Sequence, residues 1–170
     1  MELLLPHKLG ILFMAETAAN LNGATPASLA INAQYVRDMS FENPNAPAIY
    51  VPQTHTGEPT LELMVNVQSR MVGENVHEVI LTMKATSKVG EKVGFIAELA
   101  YAGLFTVPVM PEQQLRNLLL IECPRQLFPF ARAILSDMVR DGNFPPLLLA
   151  PIDFAGLYQQ NMEQQNRATA

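Results

Sequence analysis

Residues 60–107 read TLELMVNVQSRMVGENVHEVILTMKATSKVGEKVGFIAELAYAGLFTV, and this stretch determines the fold class. Apolar and polar residues alternate along it, a period of two that is typical of strands with one buried face. Two glycine-containing turn signals divide the stretch into three predicted strands, residues 60–72, 76–89 and 92–107. Tight turns between consecutive strands predict an antiparallel meander with one wetter face.

The alternation assigns one face of each predicted strand to the core. The residues on that face are Leu61, Leu63, Val65 and Val67, then His77, Val79, Leu81, Met83 and Ala85, and then Phe95, Ala97, Leu99 and Tyr101. Glu62, Glu78 and Glu98 fall on the opposite face, where we expect ordinary solvated carboxylates. Two of them could act as general acid and base only in a pocket that separated their environments, and the sequence indicates no such pocket.

Helical periods follow the strands. Residues 112–121 predict a short helix that the Cys123-Pro124 pair should end, because proline disfavours helical geometry in the residue before it. A second helix is predicted from Gln126 to a stop at Gly142, and a third begins where Asp153 can cap it. Strands first and helices after give an α+β fold, with the helices gathered on one face of the sheet.

The whole chain is most simply one domain. Its 170 residues can bury about 70% of the unfolded-chain surface. A further strand is predicted at residues 31–39, so we expect a single domain over residues 31–162, a flexible leader over 1–30 and a polar tail over 163–170. Residues 1–13 are interpreted as an upstream extension before the true start at Met14.

Composition limits the function. Hydrophobic residues make up 49% of the chain and charged residues only 16%, below the usual share of about 25%. This balance indicates apolar surface that ends in an oligomer interface or a ligand groove. The formal charge of −5 without a Lys/Arg cluster argues against nucleic acid as a partner. No stretch approaches the ~18 apolar residues of a membrane span, so we expect no direct membrane insertion.

The sequence carries little equipment for chemistry. Cys123 is the only cysteine, so an intrachain disulfide is excluded, and we interpret it as a small buried hydrophobe. His7, His55 and His77 lack metal-ligand spacing. Nucleophile-elbow, phosphate-loop and zinc-protease motifs are absent from the sequence. We therefore expect no metal, no cofactor and no catalytic residue.

Four ordered strings carry a resemblance to a known family. They are Tyr35–Pro47 (YVRDMSFENPNAP), Glu98–Phe105 (ELAYAGLF), Cys123–Arg132 (CPRQLFPFAR) and Gly142–Phe154 (GNFPPLLLAPIDF). Over roughly residues 30–160 the chain resembles the bacterial protein-export chaperone SecB family. The departures are the apolar extension before Met14 and a C-terminal tail that is less acidic than in some relatives, which bears on how strongly the tail would contact the translocation motor.

The resemblance implies a fold, a function and partners. The fold would be a four-stranded antiparallel sheet with helices packed on one face, assembled as a homotetramer that is a dimer of dimers. The function would be that of a cytoplasmic chaperone without ATPase activity, which holds precursor proteins unfolded and passes them to the motor SecA. Nucleotide motifs are absent, so a partner would have to drive release.

Two sets of site residues follow from the sequence and the resemblance together. A client groove is expected from the apolar side chains Phe128, Phe130, Phe144, Leu147, Leu149, Phe154 and Tyr158, of which Phe154 and Tyr158 are expected to be partly exposed on a short terminal helix. The positions that match the SecA-binding surface are Asp38, Glu42, Ile96 and Glu98. Any zinc there would belong to the basic tail of SecA.

Two alternatives stay open. A SecB-like relative could serve as a dedicated chaperone for a toxin–antitoxin pair, and gene neighbours would separate this reading from general export. An acyl thioesterase on a helix-backed sheet would need a buried carboxylate or histidine at a subunit interface. His77 is the candidate within the folded domain, although a satisfied core histidine is the simpler explanation.

Overall fold

The computed structural model describes residues 29–51 and 57–168. The strands are β1 (Ala30–Glu42), β2 (Pro59–Gly73), β3 (Val76–Val89) and β4 (Lys92–Thr106). A short 3-10 helix, Ala48–Tyr50, follows β1. The helices are α1 (Glu112–Asn117), a π-helical turn (Leu118–Glu122), α2 (Cys123–Asp141) and α3 (Phe154–Ala168). Residues 1–28 of the predicted leader lie outside the described residues, and the last leader residue, Ala30, is already the first residue of β1.

The strands form one antiparallel sheet in the order β1-β4-β3-β2. The predicted meander is confirmed, since β2 pairs with β3 and β3 with β4 through tight turns. Asn75 and Gly90 take positive φ angles of 56° and 60° in these turns, a geometry that asparagine and glycine tolerate better than other residues. The first strand in the chain, β1, pairs antiparallel with the last one, β4.

One face of the sheet, the inner face, is covered by α2. The core contains Val79, Leu81, Met83, Phe95, Ala97 and Leu99 from the strands, and Leu127, Ala131, Leu135 and Val139 from α2. The helical residues recur every three or four positions, which places them on one side of α2. The predicted inner face of β3 and β4 is therefore confirmed. The other face of the sheet, the outer face, lies opposite the helices.

The predicted helix end at Cys123-Pro124 is wrong. Cys123 is helical, with φ −60° and ψ −48°, and the chain runs from the π-helical turn into α2 without a break. Proline inside an α-helix lacks a donor and clashes with the carbonyl four residues back. The wider π-helical turn directly before Pro124 is where the helix accommodates that ring.

The cap of α3 is as predicted, because the backbone N–H groups of Ala155 and Gly156 both donate to the Asp153 carboxylate at 3.1 Å. The helix then continues to Ala168. Helical structure therefore extends into residues that the sequence assigned to a polar tail.

Candidate functional site: a groove along β2 and the outer sheet face

The first cavity has a volume of about 510 Å³ and opens beside the start of β2. Its walls come from the 3-10 helix, the first residues of β2, and the α2–α3 connection. The side chains that define it include Ile49, Tyr50, Leu61, Phe144, Leu147 and Leu148. Leu148 is 91% exposed, so an apolar side chain of large area lies at the rim in water.

An aromatic cluster forms the floor of this cavity. The ring of Phe144 lies 4.9 Å from that of Phe95 and 5.6 Å from that of Tyr50, both in tilted geometry. Phe41 stacks on Phe95 at 5.9 Å between ring centres. Such pairs contribute about 0.5–1.5 kcal/mol each beyond the area they bury. The floor is therefore a preformed apolar surface.

Polar contacts hold the cavity walls together. The Tyr50 hydroxyl donates to the carbonyl of Gly142 at 2.6 Å and accepts from the Asn43 side-chain amide at 2.6 Å. Asn143 takes a φ of 62° just after α2, and the Phe144 N–H then returns to the Val139 carbonyl. This left-handed residue turns the chain back and places Phe144 over the sheet.

A second cavity of about 640 Å³ lies further along β2, against α3. Its lining is rich in side chains that can hydrogen-bond, namely Asn66, Gln68, Arg116, Tyr158, Asn161 and Gln164. Among the described strands β2 pairs only with β3, so one side of its backbone is open to a partner. The two cavities thus border one exposed edge strand, and we name them together the β2 groove.

The seven predicted client residues do not form one surface. Phe144 and Leu147 line the first cavity, and Phe154 and Tyr158 the second. Leu149 lines an adjoining depression beside Arg132, which shares Leu147 with the first cavity. Phe130 is 51% exposed and stacks on Tyr101. Tyr50 also lines the first cavity but was not among the residues predicted from the sequence. Its only sequence signal was its aromatic side chain, shortly after the turn that ends the first strand.

The expected partial exposure of Phe154 is wrong. Its side chain is 1% exposed and packs edge-on against Phe128, with the ring centres 6.1 Å apart. Phe128 is itself only 5% exposed. The capped first turn of α3 directs Phe154 into the core, whereas Tyr158, one turn later on the same helix, is half-buried. Phe128 and Phe154 are core residues, and Tyr158 lies at the rim.

The register places all four predicted SecA-binding residues on the outer face. Glu42 lies opposite Ile96, Ser40 opposite Glu98, and Asp38 opposite Ala100. The alternate residues of β4, such as Leu99, are buried in the core. Lys84 pairs with Glu98 at 3.3 Å, with both side chains about 40% exposed, and exposed pairs of this kind contribute little to stability.

Glu78 is not the solvated carboxylate that the sequence predicted. It lies on the outer face but is only 3% exposed. Its carboxylate accepts hydrogen bonds from the Tyr35 hydroxyl at 2.5 Å, Arg37 at 2.9 Å and Arg70 Nε at 2.5 Å. The Tyr35 hydrogen bond, with the two arginines, lowers the pKa of Glu78 despite its burial. We call Tyr35, Arg37, Arg70 and Glu78 the Glu78 cluster.

Cys123 and His77 are both buried. Cys123 is fully buried, and desolvation raises the pKa of its thiol to about 12. His77 is 8% exposed on the inner face, and burial lowers its pKa.

Within residues 29–51 and 57–168 we find no group of three or more His, Cys, Asp or Glu residues that could hold a metal ion. None of the helices described is long and apolar enough to cross a bilayer.

The fold and the site define a class of protein: a helix-backed antiparallel sheet with a groove, apolar in one part and polar in another, beside an open edge strand, suited to binding polypeptide. Residues 22–165 match the family described as preprotein translocase subunit SecB. The chain therefore belongs to the SecB family and is a protein-export chaperone.

Relatives agree with this assignment. A protein-export protein SecB of Rhodopseudomonas palustris is 51% identical over 139 residues, covering 82% of this chain and 87% of that protein. One from Zymomonas mobilis is 48% identical over 149 residues, covering 88% and 89% respectively. In fold, the chain is similar to a Mycobacterium tuberculosis SecB-like chaperone solved with an antitoxin peptide. That likeness has a TM-score of 0.60 at 16% identity, covering 73% of this chain and 90% of the other.

Proposed function

We propose that this chaperone holds unfolded precursor proteins in the β2 groove, in the cytoplasm and without ATP hydrolysis, and delivers them to SecA. The observation that carries the proposal is the run of two cavities along one exposed edge strand. An extended client could hydrogen-bond to the open strand edge while its side chains enter the cavities. The amide side chains of the second cavity suit a polypeptide backbone.

The energetics favour several weak contacts over one strong contact. Each apolar client side chain gains about 1.5–3 kcal/mol on full burial. Ordering the extended client costs about 1–2 kcal/mol per residue in backbone entropy. A single segment therefore binds weakly, and useful affinity requires several grooves on one assembly, which raises the effective concentration of each further segment.

Leu148 offers the sharpest test of the groove. It is 91% exposed at the rim of the first cavity, so Leu148→Ser should weaken binding of an unfolded, fluorescently labelled precursor without changing the unfolding midpoint. Val109 is similarly exposed, at 89%, and lines none of the cavities described, which makes Val109→Ser the matched control. Equal binding by the two variants would argue against this groove as the client site.

Assembly as a homotetramer, a dimer of dimers, is supported by uncovered apolar surface. On β1, the inner-face residues Ile31, Val36 and Met39 are 42%, 44% and 52% exposed. Phe130 of α2 is a further exposed apolar side chain, at 51%. Light scattering at micromolar concentration should give four times the protomer mass, and a monomer would contradict the proposal.

The outer face is proposed to receive the basic tail of SecA at Asp38, Glu42, Ile96 and Glu98. Reversing the three carboxylates to Lys should abolish tail-peptide binding and spare client binding, because charge reversal turns attraction into repulsion. Glu62→Lys, an outer-face change on the far strand β2, is the control for a charge reversal elsewhere on the same face. The wild-type contact should weaken with salt, since the Debye length falls from about 10 Å at 0.1 M to about 3 Å at 1 M. Unchanged affinity in the triple variant would refute this assignment.

A further inference from the structure

The outward position of Asp38 depends on an irregularity in β1. Val36 lies opposite Tyr101 and Asp38 opposite Ala100, so Arg37 is an extra residue without a partner on β4. Such a β-bulge inverts the alternation of side chains beyond it. Without the extra residue, Asp38 would share the inner face with Val36. The bulge therefore decides that Asp38 faces outward.

The Glu78 cluster holds this bulge from across the sheet. Tyr35 precedes the extra residue and Arg37 is the extra residue itself, and both donate to the Glu78 carboxylate. Their side chains reach β3 by passing over β4, on which Ala102 lies opposite Tyr35 and Leu104 lies opposite Glu78. Arg70 approaches the same carboxylate from β2, directly opposite Glu78.

A second anchor lies further along β1. Phe41 stacks on Phe95 and contacts Phe144 on the inner face, and these contacts fix the neighbouring Glu42 independently. Asp38 directly follows the bulge that the Glu78 cluster contacts, and it precedes Met39, which is 52% exposed. The two acidic residues of β1 are thus positioned by different parts of the molecule.

We propose that Glu78 is a positioning residue that fixes the β1 bulge through Tyr35 and Arg37 and thereby orients Asp38 outward. Its role in SecA-tail binding rests on the proposed function, whereas its role in fixing the bulge does not. The tail peptide never needs to touch Glu78, which is nearly fully buried.

Hydrogen–deuterium exchange measures the positioning directly, without SecA. Charged hydrogen bonds are strong, so Glu78→Gln and Arg37→Gln should speed amide exchange at residues 36–39 by about tenfold or more. Arg70→Gln removes a contact to the same carboxylate but none to β1, and it should leave this segment unchanged. If Glu78→Gln speeds exchange in every strand, the variant has loosened the whole sheet and Arg37→Gln becomes the deciding test. An increase confined to residues 36–39 in Arg37→Gln supports the proposal. Unchanged exchange at 36–39 in Arg37→Gln overturns it, as does unchanged exchange in Glu78→Gln.

A double-mutant cycle with the tail peptide separates positioning from general loss of structure. Asp38→Asn should weaken tail binding in the wild type but add little in the Glu78→Gln background. Glu42→Gln should have the same effect in both backgrounds, because Phe41 positions Glu42. Full additivity of the Asp38 and Glu78 changes would overturn the proposal. If the peptide fails to bind the wild type, the SecA assignment fails while the exchange measurement still tests the bulge.

Discussion

The substitution Phe154→Ala tests whether Phe154 is a core residue or a client-binding residue of the β2 groove. Phe154 is 1% exposed and packs edge-on against Phe128, so its truncation removes an almost fully buried aromatic side chain. Buried Phe→Ala changes cost about 3–5 kcal/mol, because transfer energy is lost and a cavity remains. We expect a loss of that size in the free energy of unfolding.

Urea unfolding followed by circular dichroism measures this loss. With a slope of about 2 kcal/mol per M, the midpoint should fall by roughly 1.5–2.5 M. The protomer concentration must be held constant, since assembly stabilises the folded chain by mass action. Tyr158→Ala is the control on the same helix; Tyr158 is half-buried at the groove rim, so we expect less than half the shift. A midpoint within about 0.5 M of wild type in Phe154→Ala would refute the assignment of Phe154 to the core.

Two further predictions concern titratable groups. Cys123, with a pKa raised to about 12 by burial, should resist iodoacetamide at neutral pH in the folded protein and react once urea unfolds it; rapid native alkylation, measured by mass spectrometry, would contradict its burial. Hydrogen bonding from Tyr35 lowers the pKa of Glu78, and burial lowers that of His77. Both groups bind a proton less readily in the folded chain than in the unfolded chain. The folded state is therefore most stable above their ordinary pKa values, 4.5 for Glu78 and 6.5 for His77, and it loses stability as the pH falls from those values to the lowered ones. The thermal unfolding midpoint should fall as the pH is lowered below about 6.5. In Glu78→Gln this fall should be smaller, and a pH dependence identical to that of the wild type would refute the lowered pKa of Glu78.

The sequence predicted the strands well because their evidence is local. Alternation over residues 76–89 gave β3 with its observed bounds, and β2 differs by one residue at each end. Burial on one face of a strand forces a period of two regardless of what covers that face. The α+β order, the cap at Asp153 and the burial of Cys123 followed from similarly short-range patterns.

Helix continuity at Pro124 could not be read from the sequence. The restriction that proline places on the preceding residue is a statistical preference, and packing overrode it here by inserting a π-helical turn. The role of Phe154 was misjudged for a related reason. A helical pattern shows which residues share a side, but the docking of α3 decides which turn enters the core.

The sequence alone determined the four strands, their position before the helices and the inner face of the meander, because each depends on periodicity within one segment. The tertiary structure decided which distant residues meet. Tyr35, Arg70 and Glu78 come together only when β1 pairs with β4 and β2 pairs with β3. One extra residue in β1 sets the face of the sheet on which Asp38 lies. Strand register and bulges arise from pairing between segments far apart in the chain, and no local pattern specifies them.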